Sequence, residues 1–275
     1  MKVITIFNNK GGVGKTTSAQ NIGAALALFA DQKTLIIDLD QQANLTMGFG
    51  IKIENKHTNA ASFILGETSL EQTRVKYKDS PIDILPASFE LRKQEERIKI
   101  KGYPTNLSKA LNKISTQYDY VVIDSPPAIS TFSDVALVAC DQYYVPLQAE
   151  YFSYEGLRNL AGYIDELRED KHIKGKVPDL KLELGGVFAI GFNPNAKKRL
   201  SKVIIQSVQE QLGDKLLSPY IRVNVALSEA QAKGMHIFDY QRSYKRGMKA
   251  AEDYHVLAKE IFKNMELWEA KQKTV

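Results

Sequence analysis

One cysteine, Cys140, stands in a chain of 275 residues. A lone thiol closes no disulfide framework and builds no cysteine-based metal centre within the chain, and in ALVACDQYY it reads as a small core residue. Long apolar runs are lacking as well. The longest, such as AALALFA at 24–30, falls far below the roughly 20 residues that cross a bilayer. The start, MKVITIFNN, is not a secretory signal, because its short apolar run leads straight into a glycine-rich loop. No low-complexity linker and no internal repeat divides the sequence, so one domain over 1–275 is expected. The first strand is expected from residue 2, which leaves no room for an N-terminal helix-turn-helix module. Neither sign of charge dominates: 37 Lys and Arg stand against 32 Asp and Glu, a formal net charge of +5. That balance permits a polyanionic partner without requiring one. Together these absences lead us to expect a cytoplasmic protein.

What is present is alternation. KVITIFN (2–8), TLIIDLD (34–40), IDILPA (82–87), YVVIDSPP (120–127), QYYVPLQ (142–148) and GGVFAIGF (185–192) are short β-rich runs, each followed by a helix-like segment. Near-continuous apolar strands separated by helices predict a mostly parallel sheet buried on both faces, and right-handed crossovers make it a doubly wound α/β fold. From about Gly247 to Lys271 a long helix is expected, with Tyr254, Leu257, Ile261, Met265 and Trp268 forming one apolar stripe.

The first strand runs into NNKGGVGKTTSAQN (8–21), which closes on Gly14, Lys15 and Thr16 as a phosphate-binding loop does. The usual first glycine position holds Asn9, and the glycines fall at Gly11, Gly12 and Gly14. Backbone N–H groups of Gly11, Gly12, Val13 and Gly14 can approach phosphate oxygens, and the following helix directs its positive end at them. Lys15 suits the β- and γ-phosphates, the Thr16 hydroxyl a Mg²⁺ ion, and Thr17 the α-phosphate of ATP. Lys10 is a second cation at the mouth of this loop.

Acids follow at strand ends. Period two places Asp38 and Asp40 on one face at the C-terminal edge, where ligands of open α/β sheets bind. One could serve the metal's water shell while the other positions an attacking water; alternatively the pair caps the next turn. Asp124, ending VVID, suits the Walker B role of holding a magnesium-bound water. Two basic clusters stand apart from the loop. Lys197, Lys198, Arg199 and Lys202 open a helix-like segment, and Arg242, Lys245, Arg246 and Lys249 would form one cationic stripe if helical. Such stripes suit phosphates rather than base edges, although a solvated charged face has the same composition.

KGGVGKTT, DLDQQAN, VVIDSPP, VPLQAEYFSYEGL and LSEAQAKGMHIFDY resemble the ParA/Soj partition branch of the deviant Walker A P-loop ATPases over nearly the whole chain. The resemblance implies an ATP-sandwich homodimer in which Lys10 reaches the nucleotide of the partner subunit, with Asp40 activating water and Asp38 serving the metal and switch region. It implies Mg²⁺-dependent ATP hydrolysis that is slow until stimulated by a ParB-like, DNA-bound adaptor. It further implies non-specific binding of double-stranded DNA through the basic clusters, and association with the nucleoid. GFNPN (191–195) and SPYIRVN (218–224) fall where the family lines the adenine. Two departures stand out: Gln41 replaces the usual proline after Asp40, and Ala226 replaces a common arginine. The alternative is a MinD-like positioning ATPase of the membrane surface, but the C-terminal IFKNMELWEAKQKTV mixes acids with bases and reads as a packing helix, so no stable membrane anchoring is expected. Metabolic relatives such as nitrogenase reductase need cluster cysteines, and amidoligase relatives a substrate pocket.

Overall fold

The strands at the centre of the molecule are buried along their whole length, as a sheet covered on both faces requires. The structure is a computed structural model, and it describes residues 1–53, 57–150, 153–193 and 199–272. Its strands are β1 (Lys2–Ile6), β2 (Thr34–Asp38), β3 (Val75–Lys76), β4 (Ile82–Leu85), β5 (Tyr120–Asp124), β6 (Gln142–Gln148) and β7 (Glu183–Ile190). They form one sheet in the order β3-β4-β2-β5-β1-β6-β7, parallel throughout except for β3, which runs antiparallel to β4. The two-residue β3 has no periodicity to betray it in the sequence. The parallel order bears out the doubly wound α/β expectation.

The helices are α1 (Lys15–Phe29), α2 (Asn44–Gly48), α3 (Ala60–Ile64), α4 (Leu70–Thr73), α5 (Leu91–Ile100), α6 (Asn106–Asn112) and α7 (Thr131–Ala139). They continue as α8 (Ser153–Glu169), α9 (Lys171–Lys176), α10 (Arg199–Leu212), α11 (Val225–Ala232), α12 (Ile237–Tyr244) and α13 (Met248–Gln272). One core layer joins α1 and α13 to the sheet; the opposite face is covered by α3, α5, α6 and α7, and a third cluster lies under α8 and α10. The helix α1 lies close on the sheet because Gly23 has no side chain: a Cβ there would stand 2.5 Å from Ile36 Cδ1. On α13, Tyr254, Leu257, Ile261 and Met265 are buried as the stripe predicted, while the Trp268 side chain lies outside the described residues. Lys2 pairs with Glu266 and Glu269, fastening the far end of α13 to the first strand.

This topology decides where the site lies. β5 sits between β1 and β2, so the loop after β1 and the ends of β2 and β5 meet at one edge of the sheet.

Candidate nucleotide site

The loop between β1 and α1 is shaped by Gly12 and Gly14, at φ of 74° and 82°, a backbone region that glycine enters without steric cost. A Cβ on Gly14 would also come within 2.8 Å of Ile190 Cδ1. Val13 is buried beneath the loop. No side chain caps the start of α1, and no acid occupies its first turn. A helix end of this kind offers N–H donors and a positive dipole to an anion. Lys15 is only 6% exposed and its ammonium donates to the Lys10 carbonyl at 2.8 Å, spanning the loop from within. Burial presses the Lys15 pKa down from its ordinary value, while Asp124 and Asp40 oppose that shift. A triphosphate would supply the counter-charge that this buried ammonium now draws from two carboxylates.

Lys10 points outward and pairs with Glu150 at 2.7 Å, with both side chains about half exposed. The end of β6 and the residues just after it therefore brace the loop. Gln148 donates to the Gly12 carbonyl at 3.0 Å, and Asn8 links the Pro146 carbonyl (2.8 Å) to the Lys10 amide (2.9 Å).

The three acids meet, but their surroundings differ. Asp38 and Asp124 are lateral partners in the β2–β5 register. Asp38 is fully buried: Oδ2 accepts from the Thr46 amide (2.9 Å) and hydroxyl (2.7 Å), and Oδ1 from the Asp40 amide (3.1 Å). Burial lifts the Asp38 pKa to about 6 against those hydrogen bonds, and the nearby Asp40 charge adds to the rise. Asp124 is also fully buried, yet neither of its oxygens has a hydrogen-bond partner of normal geometry among the described residues. Desolvation first, then Asp38, raises its pKa well above the usual carboxylate range, while the nearby Thr16 hydroxyl and Lys15 work the other way. Asp40 lies beyond the end of β2, not on the strand as period two suggested. Its Oδ1 accepts from the Gln42 amide at 3.0 Å, and its side chain lines the cleft. The strand stops at Asp38 because the chain turns there: Ala43 donates to the Asp40 carbonyl at 2.9 Å and adopts a φ of 54°.

The cleft in front of these groups has a volume of about 650 Å³, within the range of small-molecule sites. Gly11, Gly12, Gly14, Lys15, Thr16, Thr17 and Asp40 line it together with Asn44, Met47, Gln231 and Ala232. The last four were not singled out as site residues by the sequence, although Asn44 ends DLDQQAN and Gln231 and Ala232 lie within LSEAQAKGMHIFDY. Gln231 accepts from the Thr17 hydroxyl at 3.5 Å across 214 residues of sequence separation. SPYIRVN lies alongside β7: Ile221 exchanges backbone hydrogen bonds with Ala189 and Gly191, and Arg222 binds Asp253 on α13. Residues 194 and 195 of GFNPN lie outside the described residues. Cys140 donates to the Leu137 carbonyl at 3.3 Å, and burial pushes its thiol up to about 12.

The basic clusters fare differently. Lys197 and Lys198 lie outside the described residues, as does the side chain of Arg199, while Lys202 is exposed on α10. Arg242, Lys245, Arg246 and Lys249 are all exposed, but the single helical stripe is not formed. The helix α12 ends at Tyr244, Lys245 closes it at a φ of 55°, and α13 begins at Met248. Gly247, at a φ of 78°, makes the bend: a Cβ there would lie 2.9 Å from both Ala226 Cβ and Ile237 Cδ1. The cations therefore follow a corner between two helices. Lys233, its ammonium 4.8 Å from the centre of the Tyr244 ring, joins Arg246 in a groove beside that corner. Ala226, where an arginine was expected, is buried against Gly247.

Known proteins match this arrangement. The model of a family described as an AAA domain matches residues 1–177. The sporulation initiation inhibitor protein Soj of Bacillus subtilis is 33% identical over 264 residues, covering 96% of this chain and 99% of that protein. The chromosome partitioning protein ParA of Myxococcus xanthus is 32% identical, covering 95% of this chain and 88% of its own length. Cobyrinic acid a,c-diamide synthase from Mycobacterium smegmatis, solved with ADP and magnesium, superposes with a TM-score of 0.76 at 23% identity, covering 97% of this chain and 96% of that one. At that identity the likeness shows the fold alone. The chain belongs to the ParA/Soj-type partition ATPases, a branch of the P-loop ATPases. Among the described residues, no helix is long and apolar enough to cross a membrane.

Proposed function

We propose that this chain, acting as a single domain, is an ATPase that dimerises around ATP, binds double-stranded DNA without sequence preference, and positions DNA cargo under the control of a ParB-like adaptor. The observation that carries the reading is the buried Lys15 ammonium, held inside a glycine loop at an uncapped helix end and facing Asp124 and Asp40.

Magnesium fits this donor set. Asp124 offers two buried oxygens that, among the described residues, have no hydrogen-bond partner of normal geometry and lie beside the Thr16 hydroxyl, and hard oxygen donors suit this ion. Asp124 would hold the ion through water and Thr16 would hold it directly. When bound, the ion would neutralise phosphate charge during phosphoryl transfer. Asp38, with its oxygens committed to Thr46 and Asp40, supports the turn that carries Asp40. Asp40 orients the attacking water and takes its proton. Lys15 draws the β- and γ-phosphates, and Lys10 exchanges Glu150 for the phosphates of the facing subunit.

Binding of DNA then follows from addition: a dimer presents two sets of Lys202, Arg242, Lys245, Arg246 and Lys249. Light scattering with and without ATP, followed by DNA titration of each state, tests the reading. A chain that stays monomeric with ATP bound would refute it.

A further inference from the structure

Three side chains of α1, spaced i, i+3 and i+4, leave the sheet and reach the segment 231–237. Thr17 meets Gln231, as described above. Asn21 accepts the Ile237 amide at 2.8 Å, fixing the start of α12. Between them lies Gln20, fully buried, whose Nε2 donates to the Gly48 carbonyl at 2.6 Å and to the Met235 carbonyl at 3.3 Å. One amide thus joins the end of α2 to the α11–α12 turn. The two segments also touch backbone to backbone, since a Cβ built on Gly234 would stand 2.6 Å from Gly50 Cα.

Both segments line the cleft. Asn44, Met47 and Gly48 contribute from α2, and Gln231 and Ala232 from α11. The α2 wall is tied to the acids through Thr46 and Asp38, and the α11 wall continues into α12 and the basic corner. Gln20 Oε1 has no hydrogen-bond partner among the described residues, although it is buried. A methionine of similar length would fill the space without that unpaired oxygen. The two donated hydrogen bonds are what the amide adds.

We propose that Gln20 is a positioning residue that couples the nucleotide cleft to the α11–α12 turn, so that movement of α2 around bound ATP is passed to α12. The idea rests on reading the cleft as the nucleotide site. Coupling requires that the nucleotide favour one arrangement of α2 over another, and the shared amide carries that preference to the turn.

Gln20→Met in the full chain tests it. With ATP and magnesium, hydrogen exchange of amides 233–246 should change at least fivefold in the wild-type protein and less than twofold in the variant. ATP affinity should stay within twofold, and the ratio of DNA affinities with and without ATP should fall at least fivefold. Should Gln20→Met not fold, Gln20→Asn serves, because its amide is one methylene too short to span both carbonyls. A variant that keeps the wild-type exchange response overturns the proposal. So does one that loses ATP affinity in step with the response, since Gln20 would then merely support the pocket. If the exchange response is present and lost on substitution while wild-type protein ignores DNA, the coupling stands and the DNA reading falls.

Discussion

Asp38 and Asp124 are register neighbours at the ends of adjacent strands, yet Asp38 accepts three protein hydrogen bonds while neither Asp124 oxygen has a partner of normal geometry among the described residues. Adjacent acids in one buried edge thus have separate tasks. Asp38 holds the turn and α2, and on the proposed reading Asp124 is the acid that serves the ion.

This difference sets apart three substitutions. Asp40→Ala should leave ATP affinity within a few-fold of wild type and lower turnover at least a hundredfold, giving a long-lived dimer. Asp38→Ala should destabilise the fold by about 1–3 kcal/mol, because the Thr46 amide and hydroxyl lose a buried acceptor. Asp124→Ala should weaken the magnesium dependence of ATP binding without that loss of stability. Urea unfolding and nucleotide titration across magnesium concentrations separate the three; wild-type turnover in Asp40→Ala would move the water-orienting role elsewhere.

Lys15→Ala should abolish ATP binding, because it removes the one buried cation within the loop. Fluorescence titration with a labelled nucleotide checks this, and unchanged affinity would remove the phosphate-loop assignment.

Lys10 should behave otherwise. Lys10→Ala should bind nucleotide as a monomer but fail to dimerise. Glu150→Gln releases Lys10 from an exposed ion pair of the sort worth about 0–1 kcal/mol, so the ATP-induced dimer should form up to about fivefold more readily. Light scattering at graded protein concentrations reads both. Normal dimerisation of Lys10→Ala would make the lysine a bystander.

His236 gives a pH dependence. It is buried, its Nδ1 accepts the Asp239 amide at 3.2 Å, and burial lowers its pKa to about 4; Asp239 opposes the shift while Lys78 and Arg242 add to it. The folded state thus binds this proton less well than the unfolded chain. Its contribution to stability is intact above the unfolded value near 6.5 and is lost as pH falls toward 4. Between pH 7 and pH 5 the loss should be about 2 kcal/mol. His236→Asn, which keeps an acceptor at the helix start, should remove that increment in urea unfolding; an unchanged pH slope would refute the assignment.

Much of this could be read from the sequence. The phosphate loop, the strand-end acids and the apolar stripe of α13 are local patterns, and local patterns survive folding. The α12–α13 corner was missed because helical spacing of the cations persuades more than one glycine does, although Gly247 was the visible sign. Gln20, Gln231 and Glu150 were beyond reach for another reason. All three stand inside stretches that carried a motif, but their roles arise only when segments far apart in sequence meet.

DNA titration of the ATP-bound protein between 50 and 200 mM salt tests the account most directly. With three or four phosphate contacts per subunit, a dimer neutralises roughly six to eight charges, so affinity should fall by about three to four decades over that range. Affinity should rise sharply with ATP and be alike for unrelated sequences. Replacing Arg242, Lys245 and Arg246 together with alanine should flatten the slope while ATP-dependent dimerisation persists. A slope near zero, or DNA affinity indifferent to ATP, would contradict the account.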